Sequence, residues 1–307
     1  MLEYSIGVDL GGTNLRAAAV DRDGKILEKH AQSTDMTRGR DEVIADIVSG
    51  INTVRQKIGP SSKLAGVGIG VPGFILIEKG FVTNSNNLPV LENFPLRDEI
   101  ERLLGAPIIL ENDANAAALG EKWMGAGKQV DDLVLLTLGT GIGGGIICGG
   151  RVLHGAVGMA AELGHITIDP NGNPCGCGNF GCLEKIASAT AVEAMADMMS
   201  LGDHLNSVQV YELALDGNEK ARMIFHQRGW ALGVGLANLI NIFNYPLYLL
   251  SGGMLPAWEM FAPTMMEEIR KRSFTFRSTP TRVEQATLGN QAGLIGAAYL
   301  PYLAQKS

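Results

Sequence analysis

Two stretches decide the fold: Asp9-Leu-Gly-Gly-Thr13, and Leu138-Gly-Thr-Gly-Ile-Gly-Gly-Gly145. Apolar runs with strand character flank both, residues 4–10 and Leu15–Val20 around the first, Asp132–Leu138 and Gly145–Cys148 around the second. Each turn therefore joins strand to strand. That is neither GxxxxGK[ST] nor a strand-to-helix GxGxxG, which argues against a P-loop protein and a dinucleotide-binding fold. Glycines let backbone N–H groups approach an anion closely, and a threonine hydroxyl adds a donor. A single such turn would read as a tight, empty hairpin. Two of them, one headed by an acid able to hold Mg²⁺ through water, favour phosphate binding. Asp9, Gly11, Gly12 and Thr13 are the candidates in the first, and Thr140, Gly141 and Gly143 in the second. Ser251-Gly-Gly-Met254, after a buried strand, is a third turn, where Gly252 and Gly253 suit a flat base lying against backbone.

Working outward, a third strand starts at Lys25, beyond the Asp23-Gly24 turn. Val43, Ile44, Ile47, Val48, Ile51, Val54 and Ile58 then mark one face of a helix over Asp41–Gly59. Strand Leu64–Val71, a helix from Pro95 to Leu104, strand Pro107–Leu110 and helix Ala114–Met124 follow. The same order restarts near residue 132, with helices around Ala191–Ser200, Val208–Leu215 and Glu219–Phe243, then strand Leu247–Leu250. Helix Pro256–Arg272, strand Thr281–Thr287 and a helix from Asn290 close the chain. The two glycine turns lie 128 residues apart, so period and order together suggest an internal duplication with a cleft between two α/β halves.

The 307 residues carry a net charge of −7, with 46% hydrophobic and 19% charged residues. This composition excludes intrinsic disorder and disfavours nucleic acid or an anionic membrane as partner. The N-terminus lacks the basic flank and cleavage signal of a secretory peptide. Leu133–Gly150 and Gly229–Trp258 are uncharged, but glycines in one and Asn238, Asn241, Asn244 and Pro246 in the other fit buried elements better than membrane spans. A cytoplasmic location is expected. Glycine is the compositional outlier, 40 residues or about 13% against roughly 7% in ordinary proteins. Fourteen of the 40 fall within residues 139–181.

Within that stretch, His165 is followed by Cys175-Gly-Cys177-Gly-Asn-Phe-Gly-Cys182. Three thiols and an imidazole form a Cys₃His set for tetrahedral Zn²⁺, closed to further ligands and so structural. Ligation would tie His165 to the 175–182 loop and fix Glu162 and Glu184 at its margins. Cys148 stands apart and is expected as a buried thiol. Glu111-Asn-Asp-Ala-Asn115 stands where a strand ends and a helix begins. Asp113 there could simply cap the helix. Flanked by Asn112 and Asn115, neutral groups suited to a polyhydroxylated ligand, it also fits a base accepting a hydroxyl proton opposite the phosphate turns.

Together, Gly7–Thr13, Val71-Pro-Gly73, Glu111–Asp113, Leu138–Gly145, Ala161-Glu-Leu-Gly-His165, Cys175–Glu184 and Leu288-Gly-Asn-Gln-Ala-Gly293 resemble the ROK family of bacterial sugar kinases and repressors, nearest its glucokinase group. The resemblance implies a duplicated ribonuclease H-like α/β fold of the actin and hexokinase type, with a zinc-binding insertion. It implies ATP, Mg²⁺ and structural Zn²⁺, a homodimer or higher homo-oligomer, and phosphorylation of a hexose, glucose above all, at its 6-hydroxyl with Asp113 as base. Gly73, Asn87, Asn112, Asp113, Glu162, His165 and Glu184 would contact the sugar, and His165 would serve zinc and sugar with one ring nitrogen each. Residues 1–113 with 291–307 would form the smaller domain, and 114–290 the larger one with the adenosine site, hinged near 114 and 290. An N-acetylmannosamine or fructose kinase, or a non-catalytic sugar sensor, are the alternatives. Asn14 stands where many relatives carry lysine, and Arg16 on the same strand face is a candidate substitute for that charge.

Overall fold

The computed structural model describes residues 2–85 and 88–305. The chain opens with a meander, β1 (Glu3–Leu10), β2 (Asn14–Asp21) and β3 (Ile26–Ser33), then α1 (Arg40–Ile58) and β4 (Lys63–Val71). A hairpin of β5 (Phe74–Leu76) and β6 (Phe81–Asn84), which sequence patterning did not predict, precedes α2 (Leu96–Leu104), β7 (Ile108–Asn112) and α3 (Asp113–Met124). Next come β8 (Leu133–Leu138), β9 (Ile142–Cys148), β10 (Arg151–Val152), α4 (Glu184–Ala187), α5 (Ala189–Met198), α6 (Ser207–Leu215) and α7 (Glu219–Phe243). Strand β11 (Leu247–Ser251), α8 (Trp258–Arg272), β12 (Arg282–Gln285) and α9 (Ala292–Ala304) complete it.

Among the described residues, the two large sheets have the same strand order. The first runs β3-β2-β1-β4-β7 and the second β10-β9-β8-β11-β12. In the first, β1, β2 and β3 pair antiparallel, and β4 and β7 extend the sheet in parallel. In the second, β10 is antiparallel to β9, and β11 lies parallel to both β8 and β12. Position for position, the second sheet repeats the first. This is the duplicated actin/hexokinase-type arrangement. The chain forms two compact units, Met1–Asp131 with Gly145–Ala161 and Ala286–Ser307, and Asp132–Gly144 with Glu162–Gln285.

In the first unit β1 alternates Tyr4, Ile6, Val8 and Leu10 on one face with the small or polar Ser5, Gly7 and Asp9 on the other, where α9 packs so close that a Cβ on Gly7 would lie 2.1 Å from the Leu294 carbonyl. Tyr4, Ile6, Val8 and Leu10 join Val43, Ile47, Ile51 and Val54 of α1 in one core. On the opposite face Ser5 donates a 2.6 Å hydrogen bond to the carbonyl of Ala298 in α9. Each fully buried aliphatic side chain of this kind contributes about 1.5–3 kcal/mol. Helix α1 follows its sequence signals, with Asp41 and Glu42 in the first turn and Gly59 after the last.

Two expectations need correction. The second glycine turn is shorter than the run 139–145, because β9 begins at Ile142. Gly145 is a strand residue packed on α3, where a Cβ would lie 2.7 Å from both the Ala114 carbonyl and the Ala118 methyl. Its glycine reflects close helix–strand approach rather than a turn. Cys148 is exposed, not buried, since it ends β9 at the Gly149-Gly150 turn into β10. Among the described residues no helix is long and apolar enough to cross a membrane.

In the second unit α7 carries the fully buried Arg228, whose three guanidinium nitrogens have no hydrogen-bond partner among the described residues. Its guanidinium lies over the Phe261 ring, 5.0 Å from the centroid, and burial lowers its pKa to about 9. A buried cation without a counter-ion is costly. Arg228→Met is therefore expected to stabilise the protein by about 1–3 kcal/mol. Urea unfolding followed by circular dichroism measures this, and a lower midpoint for the variant would refute it.

Candidate functional site

In the first unit, β1 ends at Leu10 and the chain turns through Gly11–Thr13, closed by a 2.8 Å bond from the Gly11 N–H to the Asn14 carbonyl. The Thr13 carbonyl accepts from the Thr34 N–H at 2.9 Å, and the Thr13 hydroxyl oxygen accepts from the Asn14 amide at 2.9 Å. Thr13 is exposed, and its hydroxyl keeps its own proton to donate. Asp9 and Arg16 face each other in the β1–β2 register, and the guanidinium pairs with the Asp9 carboxylate. Arg16 is thus committed to Asp9 rather than standing alone in the place of the missing lysine. A cavity of about 540 Å³ opens here, lined among others by Asp9, Gly11, Thr13, Asn14 and Arg16.

The β7–α3 junction belongs to the same unit. Its helix cap is Asn112, not Asp113: the Asn112 carbonyl oxygen accepts from the N–H groups of Ala114 and Asn115 at 2.9 and 3.2 Å. The Asn112 amide donates to the Gly73 carbonyl at 3.3 Å, which retains one N–H for another partner. Asp113 is thereby released from the capping role. Its carboxylate is accessible and accepts the Ala114 N–H at 2.9 Å, with weaker support from its own N–H and the Asn112 side chain. Desolvation by the surrounding protein raises its pKa, the Ala114 N–H opposes this, and the charge of Asp9 adds to it. Gly293 lies between the two acids; a Cβ there would be 3.8 Å from the Asp9 carboxyl carbon and 3.9 Å from the Asp113 carbonyl oxygen. Three separate motifs, 7–13, 111–113 and 288–293, thus meet in one unit.

Sequence reasoning missed His154 altogether. Its Nε2 lies 2.6 Å from Oε2 of the buried Glu111. The hydrogen bond to Glu111 raises the histidine pKa, against the opposing effect of burial. A lone histidine in a stretch without period carries no local signal. Asn87 lies outside the described residues.

In the second unit the turn Gly139–Gly141 is held from α4 and α5. The Ala189 N–H donates to the Gly139 carbonyl, and the Thr190 hydroxyl to the Thr140 carbonyl, both at 2.9 Å. Glu184 Oε2 accepts the Ile142 N–H at 2.9 Å, leaving its second oxygen for other partners. Gly143 donates its N–H to the Thr137 hydroxyl at 3.2 Å. Gly252 adopts φ +105° against the end of β8, with the Leu138 carbonyl 2.4 Å from where its Cβ would stand. The second and third glycine turns are therefore neighbours.

His165, Cys175, Cys177 and Cys182 converge, with one ligand atom of each within 4.8 Å of the others. The Cys177 and Cys182 sulfurs are 3.7 Å apart, and Cys175 Sγ is 3.5 Å from His165 Nδ1. A tetrahedral zinc with bonds near 2.3 Å requires edges of about 3.8 Å, so the donor set fits the ion. None of the four cysteines is in a disulfide. Without metal, burial pushes the Cys182 thiol up to about 12, so ion binding must displace protons. With Nδ1 turned to the cluster, His165 Nε2 faces away from it, 4.0 Å from a carboxylate oxygen of Glu162.

Residues 5–303 match the ROK family. The chain is 38% identical over 306 residues to a glucokinase of Thermotoga maritima, covering 95% of each. Its fold is similar to the ROK hexokinase of Thermus thermophilus, with TM-score 0.90, 34% identity and 99% of each chain covered. A ROK family glucokinase of Streptomyces griseus, solved with glucose and AMPPNP, aligns with TM-score 0.80 and 33% identity over 97% of this chain and 98% of that one. With a family match across nearly the whole chain and a relative 38% identical over 95% of it, the chain belongs to the ROK family.

Proposed function

We propose that the chain transfers the terminal phosphoryl group of ATP to the 6-hydroxyl of a hexose, glucose being the preferred acceptor. The observation that carries this is Asp113: an accessible carboxylate, freed from capping by Asn112, with a raised pKa and the Asp9-headed glycine turn in the same unit. The Streptomyces griseus relative, solved with glucose and an ATP analogue, supports the choice of substrates. Asp113 accepts the hydroxyl proton as the oxygen attacks phosphorus. Backbone N–H groups of Gly12 and Gly141, with the hydroxyls of Thr13 and Thr140, hold phosphate oxygens, while the N–H groups of Gly11 and Gly143 are spent inside their own turns and shape them. Gly252 and Gly253 form the floor for the adenine. Gly73, Asn87, Asn112, Glu162, His165 and Glu184 bind the sugar hydroxyls. Asp9 would hold Mg²⁺ through water, which neutralises phosphate charge when bound, and the Cys₃His set would hold Zn²⁺ as a structural ion. A homo-oligomer in the cytoplasm, with no nucleic acid or membrane partner, goes with this assignment.

A coupled assay of ADP release over glucose, mannose, fructose, N-acetylglucosamine and N-acetylmannosamine tests it. Glucose is expected to give the highest kcat/KM. A higher value for N-acetylmannosamine or fructose would move the assignment to that sugar, and no turnover with any would leave a sensor. The base works deprotonated, and its pKa is raised. Activity should therefore fall as the pH drops through a value above that of an ordinary aspartate.

A further inference from the structure

Glu111 immediately precedes Asn112 and Asp113, and its side chain is 2% exposed. One carboxylate oxygen holds the two asparagines that flank the base, and the other holds a histidine. Oε1 accepts the Asn112 N–H at 2.9 Å and the Asn115 amide at 3.0 Å, while Oε2 takes His154 Nε2 at 2.6 Å. Asn112 in turn caps α3 and reaches the Gly73 carbonyl. The histidine comes from a separate segment, Leu153–Ala161, tied down at both ends. The Leu153 N–H bonds to the Ile146 carbonyl, and the Ala160 N–H to the carbonyl of His154 itself. Gly158 sits so close to β5 that a Cβ would be 2.5 Å from the Ile75 carbonyl. The segment ends at Ala161, whose φ of +70° is costly for a residue with a Cβ, and the next residue is Glu162.

We infer that His154 is a positioning residue for the phosphoryl-transfer site, acting through Glu111. Its hydrogen bond holds the β7–α3 junction in the geometry that presents Asp113, and it pins the segment that leads to Glu162 and His165. A buried carboxylate deprived of a donor must rearrange to recover one. The groups free to follow it are Asn112 and Asn115, which flank the base. The role rests on the kinase assignment above, while the bonding chain that underlies it does not.

His154→Ala and His154→Gln separate this role from a merely structural one, with folding checked by circular dichroism. In His154→Ala, kcat for glucose should fall on the order of 10- to 100-fold, as for a misplaced reacting group, with KM for ATP unchanged. His154→Gln, whose amide can donate to Glu111, should recover most of that loss. Unchanged kcat in a folded His154→Ala protein would overturn the inference. So would equal losses in both variants that merely track lost stability. If the wild type phosphorylates no sugar, the kinase assignment fails, and amide hydrogen exchange at Asn112 and Asn115 still decides the bonding chain. Faster exchange there in His154→Ala supports it, and unchanged exchange overturns it.

Discussion

Replacing Asp113 by asparagine is expected to lower kcat by about 10²–10⁴-fold while glucose still binds. Asparagine keeps the size of the side chain and an oxygen for the Ala114 N–H, but it cannot take a proton from the sugar. The fold should tolerate the change because the helix cap belongs to Asn112. Stability should even rise at neutral pH. The native pKa of Asp113 is raised by desolvation and by the repulsion of Asp9, so its ionised form disfavours the folded state. A carboxyl with a raised folded-state pKa loses stability as pH rises from its unfolded value through the folded one. The advantage of the variant in Tm should therefore open across that interval and vanish at acid pH, where the wild-type carboxyl is also neutral. Isothermal titration with glucose, steady-state kinetics and thermal melts at several pH values check all three points. Substantial turnover in Asp113→Asn would remove it from the role of base.

The second large effect concerns the Cys₃His cluster. Cys182→Ser, or prolonged treatment with a strong chelator, should strip the zinc, lower Tm and raise KM for glucose by about 10- to 100-fold. Cys182 is buried and its neighbour Leu183 leads directly to Glu184, which grips the Ile142 N–H of the second glycine turn. His165 supplies Nδ1 to the cluster while Nε2 faces Glu162. Loss of the ion would loosen both proposed sugar contacts together, with kcat less affected than KM. Cys148→Ser is the control, since that exposed thiol lies outside the cluster. Elemental analysis should find one zinc per wild-type chain. Normal glucose affinity in a zinc-free variant would show that the metal does not organise the sugar site.

Much of this was legible before any coordinates. The 25 residues of α7 match the predicted Glu219–Phe243, because Asn218 accepts the Ala221 N–H at one end and Asn244 turns left-handed at φ 49° at the other. Cysteine spacing announced a metal loop, and the repeated glycine turns announced a duplicated sheet. All of these are short-range regularities: a turn, a cap or a ligand loop is written within a dozen residues. What the sequence leaves open or misses is of another kind. Asn112 and Asp113 are both acceptable caps, and only the backbone angles of the junction choose between them. Arg16 meets Asp9 through strand register, Glu184 meets the second turn across 42 residues, and His154 meets Glu111 across 43. Cys148 looked buried from its apolar neighbours, yet side chains alternate along a strand and this one ends β9 at a turn.

The chain's local chemistry thus specified its turns, its helix ends, its candidate metal loop and the repeated order of its elements. Bringing the chain together settled which polar atoms are already spent. Asn112 gives its oxygen to the helix, Arg16 its guanidinium to Asp9, and His154 its Nε2 to Glu111, while the exposed Asp113 carboxylate is left out of the cap. Hydrogen-bond partnership over such distances depends on packing and register, which no window of sequence encodes, and it determines which of several polar residues is left free for chemistry.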